Sequence, residues 1–276
     1  MEKFTREITV GPDDPTTACE LLARHTGLAK GRIKDAMTKG AVWLKKRENK
    51  LHRLRRATAV MRPGNLLTIY YDAALLALVP PQPRCISNQG RYSVWHKPAG
   101  LMAQGTKYGD HCSLLRQAEL FFRPQRQVFL VHRLDREAAG IMLIAHSREA
   151  AKQLSLLFQN NLIAKHYRAE VLGNLLTRRE TRIDLPLDGK AALTEFAALS
   201  YDPATNTSKV MVQIKTGRLH QIRRHFDLIG HPVMGDPRYG MGNKNKKGLQ
   251  LVADQLRFTC PFAKREVVFT TEDGAA

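Results

Sequence analysis

A polar turn near the middle of the chain carries the side chains best suited to catalysis. Residues 132–140 read HRLDREAAG, so the carboxylate of Asp135 stands among the cations Arg133 and Arg136. Apolar segments lie on both sides, VFLV at 128–131 and GIMLIAHS at 140–147. An ionised carboxylate beside buried strands needs a cation to offset its loss of water, and it can act as a nucleophile. A salt-bridged turn residue is the commoner role of such an Asp, so both interpretations are open on this turn alone.

Neither histidine nor cysteine spacing indicates a metal site. The histidines of the polar segments are His132, His220, His225 and His231. No H-x-x-x-H or Cys–His spacing accompanies them, and lone histidines are more often hydrogen-bonded structural residues. The four cysteines are Cys19, Cys85, Cys112 and Cys260. They are far apart and form no C-x-x-C pair, so we expect no metal, no disulfide framework and a reducing, cytoplasmic location.

The segments around the turn predict a domain of class α+β. Both apolar flanks of the turn are suited to buried strands, and the alternation in 165–173 and 209–216 predicts two more. Segment 148–161 has apolar residues at helical spacing, which predicts a helix that packs on the core and carries no chemistry. Segment 218–230 predicts a second helix, ended by Gly230.

The N-terminal part predicts a separate small module. A helix is expected over 16–27, with Gly27 as its end, and another over 29–39, closed by Gly40. Strands are expected at AVWLKK and at LLTIYYD, so residues 1–72 form an α/β module. Three prolines between Ala73 and Gly90 prevent a regular helix or a central strand. We therefore predict a linker over 73–90 and a second domain over 91–276.

The net charge predicts a polyanionic partner. The 276 residues include 44 Lys and Arg against 25 Asp and Glu, a net charge of +19. Between Lys30 and Arg62 there are twelve basic residues and two acids. The candidate ligands of nucleic-acid phosphates there are Lys30, Arg32, Lys34, Lys45, Lys46, Arg47, Arg53, Arg55 and Arg56. Such an excess favours nucleic acid over a merely solvated surface, and no apolar run reaches the roughly 18 residues of a membrane span.

Four segments, in order, resemble the RluA family of RNA pseudouridine synthases. VHRLDREAAG is similar to the family's H-R-L-D-x-x-x-x-G signature, and WHKPAGL to its K-P-x-G-L segment. AKHYRAEVLG resembles its tyrosine strand, and TGRLHQIRRHFDLIGHPVMGDPRYG its third motif. Ala138 and Ala139 stand where the family commonly has Thr-Ser. The resemblance implies a catalytic domain built on a curved, mixed, largely antiparallel sheet with flanking helices, and no cofactor.

The same resemblance implies roles for individual residues. Asp135 would be the nucleophile, Tyr167 would lie against the target base, and Arg223 would pair with Asp135. His132 and Ile222 would line the substrate pocket. Arg133 would fill the gap that a uridine leaves when it is flipped out of its stack. The N-terminal module resembles an S4 RNA-binding domain in its two short helices and following strands.

These features together predict an enzyme that isomerises uridines of structured RNA to pseudouridine. We expect ribosomal RNA ahead of transfer RNA as its substrate, and a monomer with no membrane association. The alternative is a non-catalytic RNA-binding or ribosome-assembly factor with the same fold. A hydrolase with an Asp nucleophile would need a second carboxylate or a metal, and no such set is recognisable.

Overall fold

The chain divides into two compact units, and the division differs from the predicted one. The computed structural model describes residues 2–46 and 50–272, so the candidate RNA ligand Arg47 lies outside the described residues. The N-terminal unit comprises Met1–Pro80 together with Gln104–Leu120, and the C-terminal unit comprises Pro81–Ala103 and Phe121–Ala276. The predicted linker therefore belongs partly to each unit, and the chain returns to the N-terminal unit once.

The N-terminal unit is a four-stranded antiparallel sheet with helices. Its elements are β1 (Lys3–Thr9), α1 (Ala18–Thr26), α2 (Lys30–Thr38), β2 (Val42–Lys45), β3 (His52–Arg53), β4 (Leu66–Asp72), α3 (Ala73–Leu76) and α4 (Leu114–Phe121). The strand order is β1-β4-β2-β3. Thr17 caps α1 by accepting a hydrogen bond from the Glu20 amide, and Gly27 ends it at φ 70°. Helices α1 and α2 and strands β2 and β4 are as predicted.

Residues 104–120 join this unit through polar contacts that the sequence did not reveal. Asp110 forms an ion pair with Arg53 at 3.1 Å and accepts a hydrogen bond from Arg55 at 2.5 Å. The Trp43 indole donates to the carbonyl of Lys107 at 2.9 Å. The partners in these contacts are more than 50 positions apart in the sequence. No local sequence pattern predicts such pairs.

The C-terminal unit contains the mixed, largely antiparallel sheet that the resemblance implied. Its elements are β5 (Arg84–Asn88), β6 (Tyr92–Lys97), β7 (Phe129–Leu130), β8 (Ala139–Ala145), α5 (Arg148–Gln159), β9 (Ala164–Leu172), β10 (Arg182–Asp184), β11 (Leu193–Asp202), β12 (Thr207–Ile214), α6 (Gln221–Leu228), β13 (Leu251–Thr259) and β14 (Glu266–Thr270). The ten strands run in the order β10-β11-β12-β9-β13-β8-β6-β5, with β14 on β13 and β7 on β8. Only the β13–β8 pair is parallel among the pairings described.

A close backbone crossing sets the position of the polar turn. Strand β13 pairs with β8 through Val252–Ala139 and Ala253–Gly140. Gly140 has φ 124°, and a Cβ at this position would lie 2.2 Å from the Ala253 carbonyl oxygen. Any side chain at this position would collide with the backbone of β13. Close packing therefore explains the glycine at the last position of the HRLDxxxxG signature.

Several predicted elements of the C-terminal unit differ in length. β8, α5, β9 and β12 lie where strands and a helix were expected, whereas β7 is two residues long. Strand β7 pairs with the C-terminal end of β8, at Ile144 and Ala145. The N-terminal end of β8 pairs with β13 instead. Helix α6 begins at Gln221 rather than at Arg218, because His220 adopts a left-handed conformation at φ 52°. No helix of residues 2–46 or 50–272 has the length and apolar character needed to cross a membrane.

Candidate active site

Asp135 and Arg223 meet although 88 positions separate them. Asp135 lies in the turn before β8, and Arg223 projects from α6. The Arg223 Nη1 donates to Asp135 Oδ2 at 3.0 Å. The Arg223 side chain is 2% exposed, while that of Asp135 is 22% exposed and open to a ligand. The predicted pair is therefore a partly exposed carboxylate held against a buried cation.

A second carboxylate, Asp236, holds Arg223 from behind. Its two oxygens accept from Arg223 Nε at 2.6 Å and from Nη2 at 2.8 Å. Asp236 is fully buried and also accepts from the amides of Arg238 and Tyr239. Burial alone would raise the pKa of Asp236, but these donors outweigh it and lower the pKa. Burial alone would lower the pKa of Arg223, but its hydrogen bonds to Asp236 and Asp135 and the charges of these carboxylates raise it instead.

His220 completes the polar surroundings of Asp135. Its Nε2 lies 3.7 Å from Asp135 Oδ1, and its Nδ1 lies 3.0 Å from the Tyr239 hydroxyl oxygen. Burial lowers the pKa of His220, although the Asp135 charge opposes the shift. The ring is therefore neutral near pH 7, and it can exchange hydrogen bonds without adding charge beside the Asp135–Arg223 pair.

Tyr167 projects into a cavity of about 680 Å³ that Asp135 also lines. Burial raises the pKa of its hydroxyl, and the negative charge of Asp135 raises it further. The hydroxyl is therefore protonated at any ordinary pH, while its ring offers an aromatic wall. Ile222, which is 4% exposed, lines the same cavity together with Arg223. The structure thus brings Asp135, Tyr167, Ile222 and Arg223 to one place.

His132 and Arg133 differ sharply in their surroundings. His132 stacks on Phe158 with ring centroids 4.1 Å apart, and its Nε2 accepts from the Leu143 amide at 2.9 Å. Burial lowers the pKa of His132 to about 3, with a further contribution from Lys165. Arg133 is exposed at the cavity and makes no hydrogen bond or ion pair within the described ranges. His132 is thus a neutral wall residue, whereas Arg133 is available to contact a ligand.

Lys97 ties the polar turn to the end of β6. Its fully buried ammonium donates to the carbonyls of Ala138 at 2.6 Å, Leu101 at 2.8 Å and Arg136 at 3.3 Å. Burial lowers the pKa of Lys97 to about 8, although Asp135 and Glu137 oppose the shift. Because two of the acceptors belong to the turn residues after Asp135, Lys97 fixes the backbone on which the carboxylate stands.

Sequence reasoning found no partner for Asp236, His220 or Lys97. The three lie within the segments GHPVMGDPRYG, RLHQIR and WHKPAGL. The resemblance of these segments to the family motifs indicated that the three residues belong to the region of the site. It did not indicate which groups their side chains contact. Phe158 was assigned to a core-facing helix without chemistry, yet it lines the cavity. That difference arises because α5 ends at the cavity, which periodicity cannot show.

A family model supplies the deciding comparison. The model described as RNA pseudouridylate synthase matches residues 91–228, half of the chain. The chain belongs to this family. The match includes the polar turn, β9 and α6. The chain is therefore an RNA pseudouridine synthase, an isomerase, and the candidate site lies within the matched residues.

Individual relatives agree with this pseudouridine synthase assignment. The chain is similar to tRNA pseudouridine synthase C of Pasteurella multocida, with 32% identity over 62% of this chain and 84% of that protein. It is 30% identical to the dual-specificity RNA pseudouridine synthase RluA of the same organism, over 71% of this chain and 97% of that protein. The solved human RNA pseudouridylate synthase domain containing 1 shares the fold at a TM-score of 0.58 and 22% identity, covering 71% of this chain and 87% of that chain.

The basic residues of this pseudouridine synthase's N-terminal unit have unequal surroundings. Arg53 and Arg55 are bound to Asp110, Lys30 pairs with Glu20, and Arg32 lies 3.9 Å from Glu2. Arg56 donates to the Thr58 hydroxyl. Among the candidate phosphate ligands that the structure describes, Lys34, Lys45 and Lys46 are exposed and make neither an ion pair nor a side-chain hydrogen bond with residues 2–46 or 50–272. Arg53 and Arg55 therefore serve the packing of this unit, which weakens their candidacy as RNA ligands.

Potential metal ligands are not clustered in the part of the synthase that the structure describes. No three His, Cys, Asp or Glu side chains are grouped as metal ligands among residues 2–46 and 50–272. The carboxylates Asp135 and Asp236 are both bound to Arg223 instead.

Proposed function

We propose that Asp135 is the nucleophile that converts uridine to pseudouridine in a structured RNA, with ribosomal RNA ahead of transfer RNA as the substrate. The observation that carries the proposal is the partly exposed Asp135 carboxylate, held 3.0 Å from the buried Arg223 at the wall of a cavity shared with Tyr167. A carboxylate so paired is compensated without being covered, which is what attack on a bound sugar requires.

In the proposed reaction, the Asp135 carboxylate forms and then releases a bond to C1′ of the ribose. Asp135 attacks C1′, and the N1–C1′ bond breaks with its electron pair leaving on the uracil. The uracil turns within the cavity and C5 attacks C1′, which releases the carboxylate. The C5 proton is then lost and N1 gains one, so the product is an isomer of the substrate. No electron is transferred to or from another molecule in these steps.

Tyr167 and Arg133 serve the base rather than the sugar in this scheme. The ring of Tyr167 can pack on the uracil, and its protonated hydroxyl can relay the C5 proton to an acceptor such as the freed carboxylate. Arg133, exposed and without a partner in the described ranges, can occupy the gap that a flipped uridine leaves. Flipping costs a few kcal/mol, which such a contact offsets.

The N-terminal unit supports RNA as the partner of the whole chain. We propose that it is an S4-like RNA-binding module, whose exposed Lys34, Lys45 and Lys46 are the phosphate ligands. Transfer RNA is the second candidate substrate, favoured by the name of the Pasteurella relative tRNA pseudouridine synthase C. If the protein were a non-catalytic assembly factor, the partly exposed Asp135 paired with the buried Arg223 would have no function.

Pseudouridine mapping across the transcriptome tests this proposal. Cells lacking the gene are complemented with the wild type, with Asp135→Asn, or with Asp188→Asn as an exposed carboxylate control. We expect particular sites to be lost with Asp135→Asn and retained with the other two, while Asp135→Asn still binds RNA. The RNA class of the lost sites identifies the substrate. Sites retained with Asp135→Asn would contradict the role of Asp135 as the nucleophile. A map unchanged by the deletion would favour the assembly factor or a second enzyme that modifies the same sites.

A further inference from the structure

Lys165 is a buried cation of the cavity that the scheme above does not use. It is 8% exposed and lies in β9, where its backbone pairs with Ile214 of β12 and Leu256 of β13. Its side chain lines the same cavity as Asp135 and Tyr167. Its ammonium has no hydrogen bond or ion pair with any residue in 2–46 or 50–272.

The carboxylates of the site do not compensate this cation. Asp135 and Asp236 are both held by Arg223. Burial lowers the pKa of Lys165, with no carboxylate of the described residues opposing the shift. The adjoining His132 is neutral and its Nε2 already accepts from an amide. The Lys165 ammonium is not fully enclosed but is accessible from the cavity. A largely buried ammonium with no acceptor in the described residues adds little to the stability of the fold, and it is open to a ligand.

Lys165 lies on the same face of β9 as Tyr167, and both line the cavity that Asp135 also lines. Residues two apart on a strand face the same side, roughly 7 Å from each other. A nucleotide with its sugar at Asp135 and its base on Tyr167 therefore shares this cavity with the Lys165 ammonium.

We propose that Lys165 binds an oxygen of the substrate nucleotide and so positions it for attack by Asp135. This inference rests on the proposed function. The oxygen belongs either to a phosphate or to a uracil carbonyl, since an ammonium donates to both. The RNA, rather than the protein, compensates the positive charge of Lys165. This explains why the described residues provide no acceptor for its ammonium.

Tritium release from RNA labelled with [5-³H]uridine tests the inference. The RNA is total RNA from cells lacking the gene, and the variants are Lys165→Met, Lys165→Arg and the exposed control Lys209→Met. We expect Lys165→Met to lower kcat/KM by about ten- to a hundredfold, the range of a charged hydrogen bond, and Lys165→Arg to retain part of the activity. The control should match the wild type.

Urea unfolding separates positioning from a structural role. Methionine keeps the apolar stem and removes a buried charge, so Lys165→Met should unfold at the same or a higher urea concentration than the wild type. Unchanged kcat/KM in Lys165→Met, or a fall in activity matched by a fall in stability, would overturn the inference.

Salt dependence identifies the oxygen. If it belongs to a phosphate, Lys165→Met should reduce the slope of log affinity against log salt by up to about one in filter binding of the same RNA. If it belongs to a uracil carbonyl, the slope should be unchanged while kcat/KM falls. Either result supports Lys165. No tritium release by the wild type would overturn the proposed function as well, whereas release with an unaffected Lys165→Met would overturn only this inference.

Discussion

At the scale of the residue, two consecutive arginines of α6 show how burial decides what an ion pair does. Arg223 and Arg224 each hold an aspartate through two hydrogen bonds, Asp236 and Asp188 respectively. Asp236 is fully buried, whereas the Asp188 side chain is 69% exposed. Removing one partner of a buried pair leaves an uncompensated charge, while an exposed pair exchanges its partner for water.

We therefore expect Asp236→Asn to destabilise the protein by about 3–5 kcal/mol, and Asp188→Asn to leave the urea midpoint nearly unchanged. Asp236→Asn should also reduce tritium release, since Arg223 loses the group that orients it toward Asp135. Urea unfolding of both variants measures the contrast. Equal midpoints would contradict the role of Asp236.

At the scale of the element, the end of β6 holds the polar turn before β8 in place through the hydrogen bonds of Lys97. The pKa of this group is lowered by burial to about 8 in the folded chain, from an ordinary value of 10.5. Between these values the unfolded chain binds more protons than the folded one, so stability rises with pH. The neutral amine keeps two donors, enough for its shortest contacts with Ala138 and Leu101.

The expected outcome is a gain in the free energy of unfolding from pH 8 to pH 10.5, at most about 3 kcal/mol. Urea unfolding of the wild type and of Lys97→Met across this range isolates the contribution, because other titrating groups cancel in the difference. A difference that does not vary with pH would show that Lys97 keeps its ordinary pKa.

At the scale of the whole molecule, the net charge of +19 does not all serve RNA. In the N-terminal unit, Arg53 and Arg55 bind Asp110, so part of the basic segment holds residues 104–120 in place. Lys34, Lys45 and Lys46, which are exposed and make no ion pair in the described residues, are the proposed phosphate ligands.

Replacing these three lysines with glutamine should weaken RNA binding and lower its salt slope by about 0.7–0.9 for each phosphate that the variant no longer neutralises. Replacing Arg53 and Arg55 with glutamine should instead lower the urea midpoint, since Asp110 is then without both cations. Filter binding at several salt concentrations and urea unfolding measure the two effects. An unchanged slope in the lysine variant would return the N-terminal unit to a purely structural role.

The local features of this protein could be predicted from its sequence. Helices α1 and α2, strands β2 and β4, and helix α5 depend on caps, glycine ends and periodicity, which nearby residues determine. The family motifs identified Asp135, Tyr167 and Arg223 as candidates without any knowledge of the fold. The late strands β13 and β14 carried no comparable signal and were not predicted.

The tertiary structure decided which groups meet. Periodicity specifies the face on which a side chain lies, but its partner depends on strand order and on close approaches such as that of β13 to Gly140. Three features join segments that lie far apart in the chain. They are the two hydrogen bonds from Arg223 to Asp236, the hydrogen bonds from Lys97 to the polar turn, and the position of Lys165 in the cavity. Charge compensation is a property of three-dimensional neighbours, so the sequence determined the reactive groups and only the fold decided how each is held.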